Sequence, residues 1–148
     1  MLQTDRRKPS LLVTLNKKLL TLIDLARIYR PERQTGQYFI LAGAFKKNRL
    51  VGLGFNNYNK LHPYHRYGHY RPTRDSTADY KPTLHAECHL LSKLKHDPRE
   101  ITFGIVRVNN KDEVALARPC ENCLRVMKKT GFRRILFSVS ESEEGIIY

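Results

Sequence analysis

Two short motifs constrain this chain more than any other feature of its sequence. The first is His-Ala-Glu at residues 85–87, and the second is Pro-Cys-Glu-Asn-Cys at residues 119–123. An imidazole and two thiolates are ligands that zinc prefers, and three protein ligands leave the fourth tetrahedral position open, as in catalytic zinc sites. The two motifs therefore predict a Zn²⁺ site held by His85, Cys120 and Cys123.

The glutamate of the first motif is the candidate catalytic residue. Glu87 lies two residues after the histidine ligand, where a carboxylate can carry protons to and from a reacting group. The same carboxylate could instead only orient a metal ligand. A Cys-x-x-Cys alone also occurs in thioredoxin-type redox proteins, but there it follows a strand of a βαβ unit without an upstream His-x-Glu. The combination predicts hydrolysis at a metal, and the alternative is a zinc-stabilised module without activity.

Length and composition bound the class of protein. The chain has 148 residues, which predicts a single domain over residues 1–148 with a loose basic arm at residues 1–10. No apolar run approaches the ~20 residues of a membrane span, and the N-terminus lacks a signal-peptide pattern. Three cysteines are too few for a disulfide framework. We expect a cytoplasmic protein with no membrane partner, and we expect Cys88 to be a small buried residue.

The formal net charge of +13 is large for this length. Such a charge attracts polyanions and steers anionic substrates. The alternative is that the basic residues only keep the surface solvated, since they are spread along the chain.

Hydrophobic patterning predicts alternating helices and strands. A helix is expected from Leu11 to about Arg30, where Pro31 would end it. Two apolar runs, 38–45 and 50–55, predict an antiparallel hairpin. The first motif opens a helix over residues 84–94 with Thr83 as its N-cap. Further predictions are a strand at 101–108, a short segment at 113–117, a helix from about 120 to 129 closed by Gly131, and strands at 134–139 and 146–148.

The order of these elements predicts the fold class. It is an α/β domain of three layers, with a mixed central sheet of about five strands and helices on both faces. Right-handed crossovers place the two motif helices on the same face of that sheet.

Residues 56–83 follow neither a helical nor a strand period, which predicts a long loop on the substrate side. Tyrosines alternate there with histidines and arginines, a composition that suits base stacking and phosphate contact. Alternatives are a packed lid, or a second metal site formed by His62, His65 and His69. The candidate substrate contacts in this loop are Tyr64, Arg66, Tyr67 and Arg71.

At His85, Glu87, Cys120 and Cys123 the chain resembles the zinc-dependent cytidine/deoxycytidylate deaminase superfamily, whose signature is H-x-E followed by P-C-x-x-C. The resemblance covers about residue 15 to the end. Segments 61–63, 84–87 and 118–148 look most like small deaminase-like proteins of phages and viruses, which would place the chain in a host cytoplasm. The resemblance implies a cytidine-deaminase-like fold and homo-oligomer formation.

The resemblance also implies substrate contacts and a reaction. Gly54-Phe55-Asn56 looks like the family's Gly-x-Asn, so Asn56 is expected to bind substrate, although it could be an ordinary turn residue. Ala86, in the first motif, is also expected to bind substrate. The implied reaction converts cytosine to uracil in a free (deoxy)cytidine nucleoside or nucleotide. The alternative substrate is a cytosine in single-stranded DNA or RNA.

Two departures from the family bear on this choice. Glu121-Asn122 stands between the cysteines where deoxycytidylate deaminases often have Pro-Met. The predicted C-terminal hairpin resembles the cytidine deaminases more than the APOBEC or tRNA-adenosine branch.

Overall fold

The computed structural model describes residues 15–61 and 83–148. Its elements, in chain order, are α1 (Lys17–Arg33), β1 (Phe39–Lys46), β2 (Arg49–Phe55), β3 (Asn57–Leu61), β4 (Thr83–Leu84), α2 (Ala86–Lys93), β5 (Ile101–Val108), β6 (Val114–Ala115), α3 (Glu121–Thr130), β7 (Ile135–Ser138) and β8 (Glu144–Ile147). A short 3₁₀ turn, Pro98–Glu100, leads into β5.

One mixed sheet organises these elements. Its strand order is β2-β1-β5-β7-β8, and the short β6 pairs with the end of β5. The pair β5–β7 is parallel, and the other pairs are antiparallel. The predicted mixed sheet of about five strands is confirmed, and β6 adds a sixth strand. The predicted C-terminal hairpin is also confirmed, as β7 and β8.

Helices cover both faces of the sheet, because side chains alternate between the faces along each strand. On one face, α1 buries Leu19, Leu22 and Ala26 against residues such as Leu41 and Val106. The two motif helices α2 and α3 share the opposite face, as predicted, and their core there includes Leu90, Met127, Ala42, Phe103 and Ile105. Within the described ranges, no helix combines the length and apolarity that crossing a membrane would need.

The first helix differs from its predicted limits. It begins at Lys17, with the Asn16 side chain accepting the Lys18 N–H at 2.9 Å as an N-cap. Pro31 does not end it, because α1 continues to Arg33. A proline removes only one intrahelical N–H donor, and Pro31 lies in the last turn of α1, so the helix continues past it. That turn is closed by the Gln34 N–H, which donates to the Arg30 carbonyl at 3.0 Å.

The ends of the predicted loop 56–83 are also corrected. Residues 57–61 form β3, which pairs with β4 in a small separate ladder. Residues 57–61 are Asn-Tyr-Asn-Lys-Leu, a sequence without the alternation of apolar and polar residues that would predict a strand. Thr83 lies in β4 and is not the N-cap of α2, since His85 occupies that position. The predicted arm at residues 1–10 lies outside the described residues.

Candidate metal centre

The two motifs meet because each one opens a helix on the same face of the sheet. His85 is the N-cap residue of α2 and has extended backbone angles, φ −90° and ψ 150°. Cys120 is the N-cap of α3, and its Sγ accepts the Cys123 N–H at 3.4 Å. Thiolates are stabilised at helix N-termini, where free N–H groups and the helix dipole favour negative charge.

The segment before α3 is held to the sheet by two hydrogen bonds with Ser138 of β7. The Ala117 N–H donates to the Ser138 carbonyl at 2.8 Å, and the Ser138 hydroxyl donates to the Ala115 carbonyl at 2.8 Å. At its far end, α3 closes at Gly131, whose φ of 117° is the left-handed conformation that glycine favours. The predicted start and end of this helix are confirmed.

The three predicted ligands come together. His85 Nδ1 lies 3.2 Å from Cys123 Sγ and 3.7 Å from Cys120 Sγ. The three ligand atoms all lie within 4.8 Å of one another. Tetrahedral ligands at ~2.0–2.3 Å from one ion are separated by roughly 3.5 Å, so this cluster could hold a single metal ion.

A third sulfur, that of Cys88, lies nearby without joining the set. Cys88 is fully buried, as predicted, and its Sγ is 3.8 Å from Cys123 Sγ. The possible metal ligands in the described part of the chain are His85, Cys120 and Cys123, a group that does not include Cys88. A three-ligand set is typical of catalytic metal sites, because it leaves a coordination position for a reactant.

The pKa values of Cys120 and Cys123 are shifted in opposite directions. A hydrogen bond from the Cys123 thiol, with further help from His85, lowers the pKa of Cys120 to about 4. The same hydrogen bond, together with Cys88 and burial, raises the pKa of Cys123. Burial alone would lower the pKa of His85, but its hydrogen bond to Cys120 and the charge of Glu87 raise it. One thiolate is therefore already present before a metal binds.

Glu87 lies in the first turn of α2, and its side chain is 5% exposed. Burial raises the pKa of its carboxyl, against the effect of the neighbouring charges on His85 and Arg107. Glu87, His85 and Cys120 line one pocket of about 140 Å³. A larger cleft, of about 390 Å³, lies between α1 and α2 and contains none of these groups.

Asn56 lines the same pocket and is buried. Its Oδ1 accepts the Ile40 N–H at 2.9 Å, and its Nδ2 donates to the Tyr38 carbonyl at 3.2 Å. The side chain therefore ties the end of β2 to the start of β1. An amide can make further hydrogen bonds, so this structural role leaves capacity for a ligand.

Ala86, the other expected substrate contact, lies between the pocket residues His85 and Glu87, and its contact with substrate stays a prediction. It is fully buried as the first residue of α2, and its side chain belongs to the core between sheet and helices. The candidate loop contacts Tyr64, Arg66, Tyr67 and Arg71 lie outside the described residues, as do His62, His65 and His69. Their roles stay predictions.

The pocket is also lined by two arginines that were not predicted from the sequence. Arg107 comes from β5, and Arg118 immediately precedes Pro119. A usable signal for Arg107 existed, because it is the one charged residue in the apolar strand Ile101–Val108. Charged residues are rarely placed in buried strands without a partner or a function.

Comparisons of the chain with protein-family models, with curated proteins and with solved structures find no significant match. The resemblance to the deaminase superfamily therefore stays a hypothesis that depends on the residues of the two motifs.

Proposed function

We propose that this protein is a zinc-dependent hydrolytic deaminase that converts cytosine to uracil in a free (deoxy)cytidine nucleoside or nucleotide. The observation that carries this proposal is a buried carboxyl, Glu87, in the same small pocket as His85 and Cys120. A carboxyl with a raised pKa beside a three-ligand metal cluster is typical of an acid/base catalyst.

Zinc is the metal that the ligands favour. Thiolates and imidazole are softer donors than the oxygen ligands that Mg²⁺ or Ca²⁺ take, and His85, Cys120 and Cys123 offer no oxygen. When bound, zinc supplies Lewis acidity that makes water a nucleophile near neutral pH.

Glu87 carries the protons of the reaction. Its carboxylate takes a proton from the attacking water as a bond forms between the water oxygen and C4 of cytosine. The same carboxyl gives that proton to N3, then moves the second water proton to the exocyclic amine. The C4–N4 bond breaks, and the products are uracil and ammonia, so that atoms and charge balance without an oxidant or reductant.

The walls of the pocket suit a small ring. Ile40, Leu84 and Ala117 form its apolar sides, and Asn56 adds an amide. The pocket has a volume of about 140 Å³.

A substrate panel tests the proposal. Purified protein is incubated with cytidine, deoxycytidine, their mono- and triphosphates, and single-stranded DNA and RNA, and products are read by mass spectrometry. We expect a gain of about one mass unit, the mark of an amine replaced by oxygen, for at least one free cytosine compound. Protein stripped of zinc with a chelator is the control, and activity should return when zinc is added back.

A second candidate is a deaminase of single-stranded DNA or RNA. The net charge of +13 favours it, since polyanion binding scales with the cationic contacts available. Conversion of a cytosine in an oligonucleotide, with binding that weakens steeply as salt rises, would favour this candidate over the first. If zinc-loaded protein converts no cytosine compound in the panel, the protein is a zinc-stabilised module without this activity.

A further inference from the structure

Arg107 faces the side of the sheet that carries the metal cluster. Phe103 and Ile105 on β5 belong to the core beneath α2 and α3, and alternation places Arg107 on that same face. Across the sheet it is paired with Ile40, another residue of the pocket wall. An arginine therefore lines the pocket at a position where its strand otherwise contributes apolar side chains.

One N–H donor of the Arg107 guanidinium has no acceptor. Its Nε is buried and has no hydrogen-bond partner among residues 15–61 and 83–148. In those ranges Arg107 forms no ion pair, and its recorded contact is with the Tyr38 ring, 4.8 Å from the guanidinium carbon. A buried donor left without an acceptor destabilises a fold, so such groups usually serve a ligand or a reaction.

Arg118 adds a second guanidinium at the mouth of the pocket. It is exposed, and in the described parts of the chain it also forms no ion pair. Among the described residues that line the pocket, Glu87 is the one acidic side chain. A divalent ion held by two thiolates adds no net charge, so these lining residues keep a positive excess even with Glu87 ionised.

We propose that Arg107 and Arg118 bind a phosphate group of the substrate, so that the enzyme acts on cytosine nucleotides in preference to nucleosides. This inference rests on the proposed function and names its substrate class. Guanidinium groups bind phosphate oxygens through paired, charge-assisted hydrogen bonds, which supply the acceptor that the Arg107 Nε lacks. The phosphate belongs either to a free mononucleotide or to a strand.

Binding of products tests the inference without turnover. The affinities of zinc-loaded protein for uridine, uridine 5′-monophosphate and deoxyuridine 5′-monophosphate are measured by calorimetry, and those for a short single-stranded oligonucleotide with one deoxyuridine are measured alongside. We expect the monophosphates to bind at least about tenfold more tightly than uridine, as charge-assisted hydrogen bonds predict. In Arg107→Gln and Arg118→Gln this preference should shrink, and in the double variant it should disappear.

Arg134→Gln is the matched control, because Arg134 is exposed and lies outside the pocket lining while the same charge is lost. The inference is overturned if the monophosphates bind no more tightly than uridine, or if the preference survives in the double variant. It is equally overturned if Arg107→Gln weakens uridine and its monophosphate by the same factor, since Arg107 would then only position Glu87. Tighter binding of the oligonucleotide than of the monophosphates assigns the phosphate to a strand.

These outcomes are separate from the proposed function. Deamination is scored by ammonia release from any cytosine compound, whereas the inference is scored by the ratio of two product affinities. A protein that releases ammonia from a cytosine compound but binds uridine and its monophosphate equally tightly would keep the proposed function and lose the inference.

Discussion

Cys120 is the residue whose chemistry the structure defines most sharply. Its thiol has a pKa lowered to about 4, because the Cys123 thiol and His85 both interact with its sulfur. The depressed value means that the thiolate form is present at every pH above about 4 and is lost as the pH falls through that value. Cys120 is also exposed, whereas Cys123 is buried with a raised pKa.

We therefore predict selective alkylation of Cys120 in zinc-free protein. The rate of its reaction with iodoacetamide should change by less than about threefold between pH 8 and pH 6. Over the same range, a thiol with the ordinary pKa of about 8.5 would react roughly a hundredfold more slowly at pH 6 than at pH 8. Peptide mapping by mass spectrometry identifies the modified cysteine, and Cys120→Ser is the control. Zinc should protect the thiol, and preferential labelling of Cys123 would contradict the assignment.

Individual residues also show which parts of the site could be predicted from the sequence. His85, Cys120 and Cys123 were predictable because ligand type and spacing within a motif are set by covalent sequence. Arg107 was not predicted, because its place in the pocket depends on the register that pairs it with Ile40. The N-cap position of His85 was also missed, since a histidine side chain directed at sulfur atoms makes no capping hydrogen bond.

At the scale of elements, the close approach of β2 to α2 positions the first motif. A Cβ atom on Gly54 would lie 2.6 Å from both the Ala86 carbonyl oxygen and the Leu90 amide nitrogen. Both are backbone atoms of α2, so any larger side chain at this glycine would displace the helix that carries Glu87.

Gly54→Ala should therefore destabilise the protein by about 1–3 kcal/mol, the usual range for overpacking, and should weaken zinc binding as well. Gly52→Ala is the matched control on the same strand, because the closest atom to its Cβ would be the end of the flexible Leu90 side chain, at 2.9 Å, and no backbone atom of α2 is among its nearest neighbours. Urea unfolding and competition with a zinc chelator measure the two effects. Equal losses in both variants, or normal zinc affinity in Gly54→Ala, would contradict this account of the helix position.

Element limits were harder to predict than element types. The period of apolar residues identified α1, but a proline in the last turn costs only one hydrogen bond, so Pro31 did not end the helix. The strand β3 escaped notice because the sequence of residues 57–61 shows no alternation of apolar and polar residues.

For the whole molecule, topology explains why two motifs distant in sequence form one site. Strands β5 and β7 are parallel neighbours, and the chain passes between them through α3, which lies on the same face as α2. The order of predicted elements carried this information, because a parallel pair requires a crossover. The net charge of +13 was less informative about the site, because it does not give the positions of the cations. The fold and the cluster of His85, Cys120 and Cys123 were therefore predictable, while the two arginines of the pocket wall were not predicted.

The most direct test of the central claim measures ammonia release by Glu87→Gln and by the unaltered protein at equal zinc content. The proposed role of Glu87 predicts a fall in kcat of about 10²–10⁴-fold, the range for a lost general acid/base, with zinc stoichiometry unchanged. Glu121→Gln is the control, because it removes an exposed carboxylate from the first turn of α3. Full activity in Glu87→Gln, or no ammonia from any cytosine compound with the zinc-loaded unaltered protein, would contradict the account.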